Sequence, residues 1–167
     1  MELATLVAAG WASGINAYLT VLVLGLAGRT GFAETPLGLQ SNTVLAVCAV
    51  LFAIEFVVDK IPLADSAWDA LHTLVRPTVA GWMGVAVAGA RLGPTQSALL
   101  AGSLALVAHL SKASTRLAIN ASPEPFTNVI ASLGEDGVVA LVVGLSLTRP
   151  WLAAGISVVA MVTFAVV

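Results

Sequence analysis

Charge is what this chain has least of. Only 10% of its 167 residues are Asp, Glu, Lys or Arg, against about 25% in soluble domains, which excludes an ordinary water-soluble globule. There is no basic run and the formal net charge is −2, so the chain lacks the electrostatic footprint of a nucleic-acid binder. The single cysteine, Cys48, rules out an intrachain disulfide and a Cys-rich metal centre; within an apolar stretch it reads as a small buried residue. Also missing are Gly-x-Ser-x-Gly, His-Glu-x-x-His and any phosphate-cradling glycine loop. Nucleophilic catalysis therefore has little support, an enzyme is not indicated, and no cofactor is expected.

What fills the chain instead is apolar sequence, 59% hydrophobic with a mean hydropathy of +1.00. This composition points to an all-α, multi-pass integral protein of the cell membrane, folded as one domain over residues 1–167. Apolar stretches near 3–27, 43–58, 78–92, 96–111, 137–148 and 150–167 suggest about six spans. Several are shorter than the roughly 20 residues a perpendicular helix requires, so some spans must borrow residues from polar neighbours or be broken. The N-terminal stretch lacks a basic leader and is too long for a signal core, so it reads as the first permanent span.

Two polar segments interrupt this pattern. One runs from Glu55 to Pro77 and the other from His109 to Asp136; together they hold 11 of the 16 charged residues and both histidines. Offsetting the chain by 59 residues lays Asp65, Asp69, Thr73 and Arg76 over Glu124, Asn128, Ser132 and Glu135. In each segment polar residues recur at i, i+4, i+8 and i+11, one stripe of a 3.6-residue period. The expectation is two short amphipathic or re-entrant helices, capped by Asp65 or Ser122 and ended by Arg76-Pro77 or by Gly134-Glu135-Asp136-Gly137, which reads as a turn. They would belong to repeat-like units at about 43–92 and 96–148, related in parallel as in some transporters, with both charged segments on one membrane face. Four Lys or Arg on that face against three opposite favour it as cytoplasmic, with both termini cytoplasmic for six spans.

Candidate functional residues follow from cost, because ionisable groups near a bilayer centre are expensive and usually mark a path or a site. Asn16 places an amide deep in the first span, either lining a path or holding a helix break, or else bonding a neighbouring helix. Gly10-x-x-x-Gly14 gives a face for close helix approach. Glu55 and Asp59 share a helix face, where two carboxylates bind a cation or share a proton, unless Lys60, Arg76, Lys112 or Arg116 neutralise them. Asp69-x-x-His72 has the spacing of a metal-ligand pair, but two ligands are fewer than the usual three or four, so a metal is left undecided. Solvated stripes with Trp68 as an interfacial anchor are the plainer alternative.

The order of these residues resembles the bacterial membrane-protein family catalogued as domain of unknown function 4126. The pattern stands at Glu55, Asp59-Lys60-Ile61-Pro62, Asp65, Asp69, Arg76-Pro77, His109, Lys112-Ala113, Arg116, Asn128, Ser132 and Glu135-Asp136. Many members carry Gly-Phe-Arg where this chain has Gly14-Ile15-Asn16, so an intramembrane positive charge is absent here. The resemblance implies a membrane location and a motif, but no activity.

The function expected is a small transporter or channel-like protein. Its path would be formed by Asn16, Glu55, Asp59, Lys60, Asp65, Asp69, His72, Arg76, His109, Lys112, Arg116, Asn128, Glu135 and Asp136. Its expected partners are membrane lipids, a small ion or solute, and further copies of itself through Gly/Ala helix faces. The alternatives are a non-transporting scaffold that binds lipid or protein, and an enzyme acting on a lipid headgroup.

Overall fold

The computed structural model describes residues 2–121 and 125–166. These form α1 (Glu2–Ile15), α2 (Ala17–Arg29), α3 (Asn42–Val58), α4 (Ala64–Leu92), α5 (Pro94–Asn120), α6 (Pro125–Thr148) and α7 (Pro150–Val166), with a short 3₁₀ turn at Leu37–Gln40. No strand occurs among the described residues. Two of the helices, α5 and α6, are long and apolar enough to cross a membrane.

The first apolar stretch is two helices, not one. Asn16 leaves the helical region (φ −147°, ψ 99°), and its side-chain oxygen accepts from the Leu19 N–H, capping α2 as Asn does at helix starts. The chain reverses there. Gly10 packs against Ala101 and Gly14 against Ala105 and Ala108, so α1 runs alongside α5 in the same direction. On the return, Asn16 meets Asp136 near the polar half of α6, and at the far end of α2 Arg29 bonds Asn42 at the start of α3. Thr5, near the beginning of α1, donates to the Ser146 carbonyl near the end of α6. Both arms therefore open at the same end of the bundle, with Asn16 at the tip. The two polar segments converge at the other, charged end.

Neither polar segment is a short separate helix. Residues 64–76 are the opening turns of the 29-residue α4, which continues through Pro77, and residues 125–136 open the 24-residue α6, which continues through Gly134 and Gly137. The supposed breakers do not break because each segment runs straight into apolar helix that packs in the bundle, and packing outweighs a single proline or glycine propensity. The Glu135-Asp136 turn is thus helix. Asp65 does not cap α4; Leu63 takes that position without a side-chain bond. Ser122 and Glu124 lie outside the described residues.

α1 occupies the centre, in contact with α4, α5, α6 and α7. Its small face makes this possible: a methyl added at Gly14 would collide with the Ala105 carbonyl and the Ala108 methyl. α4 and α5 form a long antiparallel hairpin joined by Gly93 alone, at φ +88°, a backbone conformation that glycine adopts without steric cost. α7 turns back at Arg149 and packs along α1 and α6.

The polarity of the bundle is inverted. Arg76 and Arg116 are the largest fully buried side chains, while Leu71, Leu74, Leu99, Leu117, Phe126 and Ile130 are each more than 60% exposed.

Candidate charged site

The site is built where the tip of the α1–α2 hairpin meets the polar ends of α3, α4, α5 and α6. At 1.5 Å per residue, Arg76 lies roughly 18 Å along α4 from Ala64, and the 3.6-residue stripe turns Asp65, Asp69, His72 and Arg76 inward together; all four are buried. The same period places His109, Lys112 and Arg116 on the buried face of α5.

Three cations hold the centre. Arg76 pairs with Glu55 at 2.7 Å and Asp69 at 3.0 Å through one nitrogen, Nη2. Lys112 reaches Asp59 at 2.7 Å, Glu135 at 3.5 Å and Glu55 at 3.6 Å. Arg116 pairs with Glu135 at 2.6 Å and Asp59 at 3.8 Å. Arg116 also donates to the carbonyls of Asp59 and Asn128, and Glu135 accepts from both its Nε and Nη2.

The helix break is tied directly to this network. A helix end leaves carbonyls without intrahelical donors, and the dipole makes that end negative. Two of the carbonyls at the end of α1 receive buried cations: Gly14 from Arg76 Nη1 and Ile15 from Lys112 Nζ, each at 3.2 Å. On the other side, the Asn16 amide donates to Asp136 at 2.9 Å, placing an acid beside the start of α2. Both readings of Asn16 thus coexist: it shapes the break and it bonds a neighbouring helix.

The histidines are fixed by their partners. His109 Nδ1 lies 2.7 Å from Arg76 Nη1 and must accept, because guanidinium only donates; its Nε2–H therefore faces Thr73 Oγ1 at 3.1 Å. His72 Nδ1 donates to the Trp68 carbonyl and its Nε2 receives the Tyr18 hydroxyl at 2.8 Å. Both His72 nitrogens are occupied, which leaves no lone pair for the Asp69–His72 metal pairing, and no cluster of three His, Cys, Asp or Glu able to hold a metal occurs among the described residues. Trp68 stacks on His72 at 4.4 Å and is partly buried; it lines the site instead of standing free as an anchor.

The periphery is held by amides and hydroxyls. Asn120 donates to Asp65 and Ser66, and Asn128 donates to Asn120. Lys60, in the turn after α3, donates to the Phe56 carbonyl and Ser132 and sits over the Phe56 ring; burial pushes its ammonium below the ordinary lysine value. All fourteen residues singled out from the sequence therefore fall at or beside one site. Sequence reasoning missed the Gly14 and Ile15 carbonyls, for which only the polar Asn16 gave a signal, and the linking role of Thr73.

The opposite end of the bundle holds a second feature. Where the two hairpin arms part, Glu2, Thr5, Leu24, Glu34, Val87 and Ser146 are among the residues lining a cavity of about 660 Å³.

No curated protein and no solved structure matches the chain. The model of the domain of unknown function DUF4126 matches residues 3–167, and the chain is a member of that family.

Proposed function

We propose that this protein is a small membrane transporter or channel-like protein whose polar site is the charge network around the Asn16 break. The observation that carries this reading is the capture of the freed Gly14 and Ile15 carbonyls by Arg76 and Lys112. Non-helical backbone at membrane depth is tolerated only where it is buried in protein or lines a cavity, and broken helices whose ends face charged groups form the substrate and ion sites of many transporters. An apolar exterior around buried arginines suits a lipid surround, which solvates leucine and not guanidinium.

In this reading α3 to α7 cross the membrane and α1–α2 enters and returns as a re-entrant hairpin, with the cavity between its arms as an outer vestibule. The reversal at Asn16 replaces a six-span arrangement with five crossings. On this reading the two termini lie on opposite faces, in place of the two cytoplasmic termini expected for six spans. The succession of an apolar helix by a helix that begins polar, α3 then α4 and α5 then α6, is the feature that favours a tandem repeat along the chain, although neither succession packs as a hairpin. Gly10 and Gly14 are consumed by packing within the chain, so a homo-oligomer would use outward positions such as Gly134, Gly137 and Gly144, where nothing lies within 4 Å of an added methyl.

The scaffold alternative requires Asp65 and Asp69 at the surface, and both are buried. The test is counterflow of a panel of small ions and solutes in vesicles reconstituted with the full chain. Glu55→Gln and Lys112→Met should abolish flux while the protein remains folded; unchanged flux in both variants would overturn the reading.

A further inference from the structure

The ion-paired network is not electrically balanced. Among the described residues, four carboxylates (Glu55, Asp59, Asp69, Glu135) face three cations (Arg76, Lys112, Arg116) in one connected set of pairs. His109 adds no charge, since its Nδ1 must stay bare to accept from Arg76. Among the described residues Lys60 makes no ion pair and turns to Phe56 and Ser132. An unneutralised charge buried in a low-dielectric interior is costly enough that such groups change protonation state instead.

The unpartnered oxygens show where the excess lies. Asp69 is 2% exposed, and among the described residues neither of its carboxylate oxygens accepts a hydrogen bond, whereas Glu55, Asp59 and Asp65 each leave one buried oxygen bare and keep the other partnered. Among the described residues the Asp69 carboxylate pairs with Arg76 alone, through the nitrogen that Glu55 already holds at the shorter distance. Glu55, Asp59 and Glu135, by contrast, each contact two cations. A metal cation would need a cage of ligands, and none is assembled among the described residues. A proton needs only one bare oxygen.

We propose that the Glu55–Asp69 pair on Arg76 carries one exchangeable proton, residing mainly on Asp69, and that the protein couples transport to this proton. The coupling rests on the transport reading; the proton on the pair does not. Protonation adds H⁺ from water to an Asp69 oxygen, leaving three carboxylates against three cations. The groups facing the pair are Tyr18 from α2, Asp59 from the end of α3, His72 and Arg76 from α4, His109, Lys112 and Arg116 from α5, and Glu135 and Asp136 from α6; α1 contributes the Gly14 carbonyl. Loss of the proton would leave Asp69 and Glu55 competing as anions for one Arg76 nitrogen, an arrangement that two carboxylates sharing a site resist.

The test is infrared titration of the purified full chain in detergent, following the carbonyl stretch of protonated carboxyl groups. Wild type should show a protonated carboxyl at neutral pH that titrates away in alkali. Asp69→Asn and Glu55→Gln should each lose it, because either change leaves three carboxylates against three cations, whereas Glu34→Gln, at the other end of the bundle, should keep it. If Asp69→Asn does not fold, Glu55→Gln decides. Absence of the band in wild type, or its persistence in both variants, would overturn the inference. A titrating band without any solute flux would leave the proton site standing and overturn the transport reading, and flux without the band would do the reverse.

Discussion

Replacing Lys112 by Met removes the cation at the centre of the site while keeping much of its length and helix propensity. Four groups lose a partner: Asp59 at 2.7 Å, the Ile15 carbonyl at 3.2 Å, Glu135 at 3.5 Å and Glu55 at 3.6 Å. Asp59 and Glu55 are buried, so water cannot replace what is lost. Breaking a buried pair in this way costs about 3–5 kcal/mol. For a chain of this size each kcal/mol moves the melting temperature by roughly 2–4 °C, so the expected drop is on the order of 10 °C. Removing Asp59 as well, in Lys112→Met/Asp59→Asn, restores the wild-type excess of one carboxylate and should recover about half of the loss, the two sites being coupled through direct contact. The assay is thermal unfolding of purified protein in detergent, followed by tryptophan fluorescence and by the monodisperse fraction left after heating. A single variant that melts within about 2 °C of wild type, or a double variant less stable than the single, would show that Lys112 is solvated and the network does not bear on stability.

Four further outcomes are expected. After Cys48→Ala, cysteines introduced at Glu2 and Glu34 should be labelled by an impermeant maleimide from the same side of the membrane, opposite to one at Ile61; labelling of positions 2 and 34 from opposite sides would mean that α1 and α2 form a single crossing. Asn16→Ala removes the α2 cap and the donor to Asp136, costing about 1 kcal/mol for the cap and about 1.5–3 kcal/mol for a hydrogen bond to a charged group, read as reduced thermal stability with a larger loss than Tyr18→Phe, which gives up only the bond to His72. Gly14→Ala should destabilise by about 1–3 kcal/mol through overpacking against Ala105. Gly134→Ala, facing open space, should be neutral or stabilise by up to about 1 kcal/mol through helix propensity, and a comparable loss at both glycines would refute the packing of α1 on α5.

Composition and periodicity alone determined that the chain is helical, that its outer surface is apolar, and that its polar residues lie in two stretches. The period of 3.6 also determined which polar residues share a helix face, because helix geometry is local and needs no knowledge of neighbours. That is why Asp65, Asp69, His72 and Arg76 could be named together from the sequence. Tertiary structure decided the rest. Whether Pro77 and Gly134 end a helix depends on the apolar turns beyond them having somewhere to pack, and they do. Whether Asn16 kinks a span or reverses the chain depends on charged side chains arriving from α4, α5 and α6 to take up the broken ends, which lie about 60 to 120 residues away in sequence. The pairing of Glu55 with Arg76, and the excess carboxylate it leaves at Asp69, could not be read from charge spacing, because an ion pair is set by the distance between helices and not by the distance along one.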